Sequence, residues 1–145
     1  MAEWLKVSLA PDLVEWEIDN INQCITDYAS RTASSPFLVL WLVEGLEYLG
    51  SIQIRPRLTK ELAFCGGHVY LDIRPSTRNR GYGTKLLELG KEYAKTELGM
   101  DTLLLSVAES NLASRKLIEK CGGTLLNKVV HPRHKKPFYN YEMRL

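Results

Sequence analysis

The sequence predicts a single α/β domain, with a strand hairpin in its first half and crossover helices in its second. Three observations predict it. Two β-type apolar runs, 37–43 and 48–54, flank a short turn containing Gly45. An amphipathic stretch over 86–98 leads at once into a nearly all-apolar run at 103–107, the pattern of a crossover helix and a buried central strand. No repeat, low-complexity tract or Pro/Gly/Ser-rich linker divides the 145 residues, a length suited to one domain with its own core.

In chain order, 4–9 alternates loosely enough for a first strand. Pro11 and Asp12 then mark a helix start, and Leu13, Trp16, Ile21, Ile25 and Tyr28 carry its apolar spacing to about residue 29. The hairpin 37–54 follows and ends at Pro56. Residues 57–66 read as a connecting loop with at most a helical turn, and 68–73, rich in β-branched and aromatic side chains, as a strand. The helix after residue 83 carries Leu86, Leu89, Gly90, Tyr93, Ala94 and Leu98 on one side, and Gly99 is suited to stop it. After strand 103–107, Ser110 or Asn111 caps a last helix that Gly122 and Gly123 close. The remainder reads as a strand, a basic loop at 131–136 and a final strand around 138–143.

Composition excludes several classes. With 45% hydrophobic and 25% charged residues, a packed fold is expected rather than disorder. A formal net charge of +2 is far from that of a dedicated nucleic-acid binder. Cys24, Cys65 and Cys121 are scattered and form no CxxC pair, so reduced thiols are expected, with neither zinc nor a disulfide framework. No basic segment with a long apolar run stands at the N-terminus. The most apolar run, 37–43, falls short of the roughly 20 residues that span a bilayer. A cytoplasmic protein without membrane or nucleic-acid partners is the expectation.

The chemistry concentrates after the strand at 68–73. Pro75 follows it, and Arg78-x-x-Gly81-x-Gly83 opens directly into a helix. A helix N-terminus presents unpaired N–H groups and a positive dipole end. Glycines let the backbone take positive φ and approach an anion, and successive N–H groups curl into phosphate-holding concavities. Arg74, Arg78, Arg80 and Lys85 add positive charge, so a pyrophosphate is the natural guest. Neither GxGxxG nor GxxxxGK[ST] occurs. The plain alternative is a glycine turn that merely caps a helix; the preceding strand, the following helix and a second matched block downstream argue against it.

Residues 71–87, from Leu71-Asp72-Ile73 through Arg78-Asn79-Arg80-Gly81-Tyr82-Gly83-Thr84 to Leu87, resemble the acetyl-CoA motif of the GNAT superfamily of N-acetyltransferases. Residues 111–123, Asn111 to Gly123, are similar to the superfamily's later helix, and the spacing of the two blocks fits. More loosely, 50–130 resembles a bacterial branch of acetyltransferases with a Gly-Gly-His strand start. The resemblance implies a mixed, mostly antiparallel sheet whose central strands, at 68–73 and 103–107, run parallel and splay apart.

It also implies roles. The backbone N–H groups of Arg78, Asn79, Arg80, Gly81, Tyr82, Gly83 and Thr84 would hold the pyrophosphate. The main chain of Leu71 and Ile73 would pair with the pantetheine arm, and Asn111 and Ser114 would face that arm and its sulfur. The Leu71 N–H would stabilise the oxyanion of acyl transfer from acetyl-CoA to an amine of a small molecule or peptide. One departure stands out. Many GNAT enzymes carry a tyrosine general acid where this chain has Ile118, so the thiolate leaves unassisted, or water, Ser114, Tyr139 or Tyr141 substitutes. No general base is identifiable. Glu44 and Glu47 read as solvated turn residues, and His68 and Asp72 as structural. The 131–136 loop has no metal-ligand spacing and reads as solvated, less often as a clamp for an acidic substrate. The rival readings are a non-catalytic acyl-CoA-binding sensor and, more weakly, RNA binding through the basic loop. A homodimer is the assembly allowed for.

Overall fold

The computed structural model of the protein describes residues 37–145. The expected strand at 4–9 and helix at 12–29 lie outside the described residues. β1 (Leu38–Glu44) and β2 (Glu47–Ile54) form the expected antiparallel hairpin, closed by Gly45 at φ 60° and in register from Leu38 opposite Ile54 to Glu44 opposite Glu47. Residues 57–66 carry one short helix, α1 (Lys60–Phe64), whose first turn is capped by the Thr59 hydroxyl accepting from the Leu62 N–H. β3 (Val69–Ile73) pairs antiparallel with the other edge of β2.

A 3₁₀ turn, Pro75–Thr77, leads into α2 (Tyr82–Thr96). Thr77 is buried there, and its hydroxyl donates to the carbonyl of Arg74 at 3.0 Å. The apolar stripe of α2 lies on the first sheet, and Gly90 permits the close approach: a Cβ there would run into Ile52. β4 (Thr102–Ala108), α3 (Leu112–Lys120), β5 (Thr124–Val130) and β6 (Pro137–Arg144) complete the chain. The Asn111 side chain caps α3 by accepting from the Ser114 N–H at 3.2 Å, which decides between the two expected caps.

The strands form two three-stranded sheets, β1-β2-β3 and β4-β6-β5, and every ladder among the described residues is antiparallel. One core joins them. Leu42, Ile52, Ile54 and Val69 of the first sheet meet Leu103, Leu105, Tyr141 and Met143 of the second, with Leu86, Leu87 and Ile118 from the helices. At roughly 25 cal/mol per Å² of apolar area removed from water, this shared interior is what holds the two sheets together.

β3 and β4 splay as expected, but completely enough that no parallel ladder forms between them. The main-chain bonds that join them lie just before β3 begins. The His68 N–H donates to the Leu104 carbonyl at 2.7 Å, and Gly67 bridges Leu105. Gly67 sits at φ 72°, and a Cβ on it would collide with the Leu104 carbonyl oxygen, so this joint requires glycine. A polar chain reinforces it. The Gly66 N–H donates to Ser106 Oγ at 2.8 Å, the Ser106 hydroxyl donates to Asn140 Oδ1, and Asn140 Nδ2 donates to the Phe64 carbonyl at 2.9 Å.

Candidate active site

The turn into α2 has the geometry of an anion cradle. Asn79 (φ 62°) and Gly81 (φ 82°) are left-handed on either side of Arg80, and backbone of alternating hand curls successive N–H groups toward one side. Gly81 is the N-cap of α2 and offers no side chain to its first turn, so the N–H groups of Tyr82, Gly83 and Thr84 are left to an external acceptor. The first helical bond runs from the Lys85 N–H to the Gly81 carbonyl. No atom lies within 4 Å of where a Gly81 Cβ would stand, so the turn is open. Gly83 does something else: its missing side chain lets α2 meet Leu117 of α3. Arg78 also differs from its neighbours. Its N–H reaches the Pro75 carbonyl at 3.4 Å, and its guanidinium folds back to the Ile73 carbonyl at 3.0 Å and to Asp72 at 3.6 Å. Tyr82 leans the other way, its hydroxyl donating to Glu44 at 3.3 Å.

A cleft of about 380 Å³ occupies the split between the sheets. Strand alternation assigns its walls to two faces. Leu71, Leu105 and Val107 point to the helix side, where Leu87 of α2 and Asn111, Ser114, Leu117 and Ile118 of α3 complete the wall. Tyr70, Ser106, Ala108 and Phe138 belong to the opposite face, where Arg55 and His131 join them. β3 is the edge facing this cleft. The Arg55 N–H donates to the His68 carbonyl and the Arg74 N–H to the Leu49 carbonyl, so even-numbered residues of β3 give their main chain to β2. The N–H and C=O of Leu71 and Ile73 therefore face away from β2. Leu71 lines the cleft; the Ile73 carbonyl is already engaged by Arg78, which leaves its N–H as the outward donor.

The sequence profile of the acetyltransferase (GNAT) family matches residues 1–123. This chain is a GNAT acetyltransferase. No curated protein matches it significantly. Among solved structures it is similar to a mutant form of the spermidine/spermine N-acetyltransferase SpeG from Vibrio cholerae, at TM-score 0.66 and 15% identity over 85% of this chain and 75% of that one. A chimera of Vibrio cholerae SpeG and hSSAT gives TM-score 0.69 and 15% identity over 94% and 85%. A dodecameric Vibrio cholerae spermidine N-acetyltransferase gives TM-score 0.66 and 14% identity over 85% and 73%. The family assigns the activity: the enzyme transfers an acetyl group to an amine. Enzymes of this family generally use acetyl-CoA as donor.

In this GNAT acetyltransferase the two candidate replacement tyrosines do not line the cleft. Tyr141 is fully buried, donates to Glu119 at 2.9 Å and accepts from Arg115 at 3.4 Å; Tyr139 donates to Glu109 at 3.0 Å beneath the Arg115 guanidinium. Both brace α3 against β6. Ile118 lines the cleft itself, as a buried apolar group. Glu44 and Glu47 are exposed hairpin residues outside the cleft wall, and Asp72 pairs with Arg78. His68 accepts the Leu104 N–H on Nδ1 at 2.8 Å, a structural bond, and burial with the Arg55 charge beside it holds its pKa below the usual imidazole range. Sequence reasoning missed Arg55, Tyr70 and Phe138 and read His131 only as part of a basic loop. Alternation alone carries one signal, since Tyr70 must point to the face opposite Leu71. Among the described residues no group of three or more His, Cys, Asp or Glu could hold a metal ion. No helix among them is long and apolar enough to cross a membrane.

Proposed function

We propose that this N-acetyltransferase holds acetyl-CoA on the α2/α3 face and passes its acetyl group through the split between β3 and β4. The amine, from a small molecule or peptide, binds on the opposite face. The observation that carries the reading is a cleft running through the split with the outward edge of Leu71 in its wall. The N–H groups from Asn79 to Thr84 would hold the diphosphate, with Arg80 and Lys85 adding charge. Leu71, Ile73, Asn111 and Ser114 would line the pantetheine arm.

Chemically the step asks little of the side chains. The amine nitrogen attacks the thioester carbonyl carbon, a C–N bond forms, the C–S bond breaks and CoA leaves as thiolate. The proton released from nitrogen passes to water. Holding both reactants in attacking geometry supplies much of the rate. The Leu71 N–H meets the oxygen on which charge develops, a contribution of about 3 kcal/mol for one such donor. A thiol pKa near about 8.5 lets the thiolate depart without an acid, consistent with Ile118 in place of a tyrosine.

Amine-dependent release of free thiol from acetyl-CoA, across a panel of small amines, polyamines and peptide N-termini, tests the function. Saturable CoA binding without amine-dependent release would leave only a sensor. Unassisted departure predicts that Ser114→Ala keeps kcat within about threefold, whereas loss of a general acid costs about a hundredfold or more. SpeG acts on spermidine; here the described cleft wall presents the Arg55 cation, whose repulsion is expected to rank spermidine below less charged amines. Self-association at the level of a homodimer belongs to the same proposal and is read by sedimentation.

A further inference from the structure

The basic loop between β5 and β6 is more organised than its composition suggests. His131 opens it, and its Nδ1 accepts two main-chain N–H groups, those of Arg133 and His134, each at 3.1 Å. The loop closes through main-chain bonds on the same residue, from the His131 N–H to the Lys136 carbonyl and from the Lys135 N–H to the His131 carbonyl. The imidazole lies against Phe138 of β6 at 4.9 Å and against the His134 ring at 4.3 Å. His131 and Phe138 both line the cleft on the face opposite α2 and α3.

We propose that His131 is a positioning residue for the amine: its ring, pinned by two loop N–H groups and tilted against Phe138, forms the lip of the acceptor side. The inference rests on the acyl-transfer reading above. An imidazole whose Nδ1 accepts two N–H groups carries its single proton on Nε2. It therefore has a donor and no free lone pair left to offer, so it shapes the acceptor site and is not the base. Protonation removes the Nδ1 lone pair, releases both amides and adds positive charge to a wall that a cationic amine must approach. The charged and titratable groups around the ring are His134 and Arg133 on the loop, with Lys135 and Lys136 beside them, and Arg55 and Tyr70 across the cleft. Burial first, and then the charges of His134 and Arg133, keep the His131 pKa below the ordinary imidazole range, so the lip is formed at neutral pH.

The experiment compares wild type with His131→Asn and His131→Ala. Asn offers a non-titrating oxygen that can cap the same two N–H groups. Nuclear magnetic resonance should show the Arg133 and His134 amides of wild type titrating with the His131 ring, and no such titration in His131→Asn. Kinetically, the wild-type KM for the amine should rise about tenfold relative to His131→Asn as pH falls through that midpoint, the loss of two hydrogen bonds of ordinary net strength. kcat and the KM for acetyl-CoA should stay parallel in the two proteins, and the ratio cancels protonation of the amine itself. His131→Ala should show the raised KM at every pH. Amides indifferent to His131 ionisation, or a flat KM ratio with the amides coupled, overturn the proposal. If no amine in the panel is turned over, the acyl-transfer reading fails instead, and the amide titration still decides whether His131 pins the loop.

Discussion

Gly81 separates the two jobs that a glycine can do in a turn proposed to hold phosphate. Its φ of 82° requires a residue tolerant of left-handed backbone, while the empty space around its would-be Cβ means that no neighbour forbids a side chain. Gly81→Ala should therefore cost only backbone strain, about 1 kcal/mol of stability, and leave CoA affinity close to wild type. Gly81→Asp adds a negative charge at the helix N-terminus where the diphosphate would lie, and CoA affinity should fall about tenfold or more by calorimetry. Equal affinities for the two variants would place the diphosphate elsewhere. Much of this turn was legible because glycine spacing before a helix has few physical meanings. Asn79 was not read as left-handed, since its sequence context does not distinguish it from an ordinary loop asparagine. Gly83 looked like a second point of anion approach, yet its neighbour is Leu117, a contact made by chain distant in sequence.

Local periodicity specified the elements well where an element makes its own case. The hairpin, α2, β4, α3 and the last two strands fall where apolar spacing, Gly99 and Asn111 put them. α1 is different: at five residues it has no amphipathic signal, and it is fixed by Asn140, which is 76 residues away. Asn140 is almost fully buried and donates to the Phe64 carbonyl and to Asn127 Oδ1 while accepting from Ser106. Such satisfaction of buried polar groups cannot be seen in a sequence, because it depends on which strands become neighbours. Asn140→Ala should strand the Phe64 carbonyl and the Ser106 hydroxyl and cost about 2 to 3 kcal/mol in chemical denaturation. Because this chain of bonds also seats Gly66 and Ser106 in the cleft wall, the proposed placement of the amine there predicts that its KM rises while CoA affinity holds. A variant with unchanged stability would show that the network contributes nothing net. The same dependence on neighbours hid Arg55, Tyr70 and Phe138, which line one cleft only once two sheets are set on either side of one gap.

At the scale of the whole molecule, the proposed function depends on a sheet left unfinished. Had β3 and β4 zipped together, the Leu71 edge would be consumed in a ladder and the cleft between the sheets would be closed. They are instead held at one end, by Gly67 and His68 against Leu104 and Leu105, with the shared core beneath. The His68 ring is part of that joint, since Nδ1 accepts the Leu104 N–H only while unprotonated. Burial, with Arg55 adding to it, lowers the folded pKa beneath the unfolded value of about 6.5. With the folded pKa depressed, the unfolded chain binds the proton more readily, so the stabilisation is complete above about pH 6.5 and is lost as pH falls through the folded pKa. Wild type should accordingly exceed His68→Ala in Tm at pH 7.5, and the two should converge as the buffer is taken toward pH 5. The comparison isolates His68, because every other titrating group is common to both proteins. A gap that stayed constant over that range would mean that the ring joins the sheets by packing rather than by its lone pair, and the joint would then be insensitive to acid.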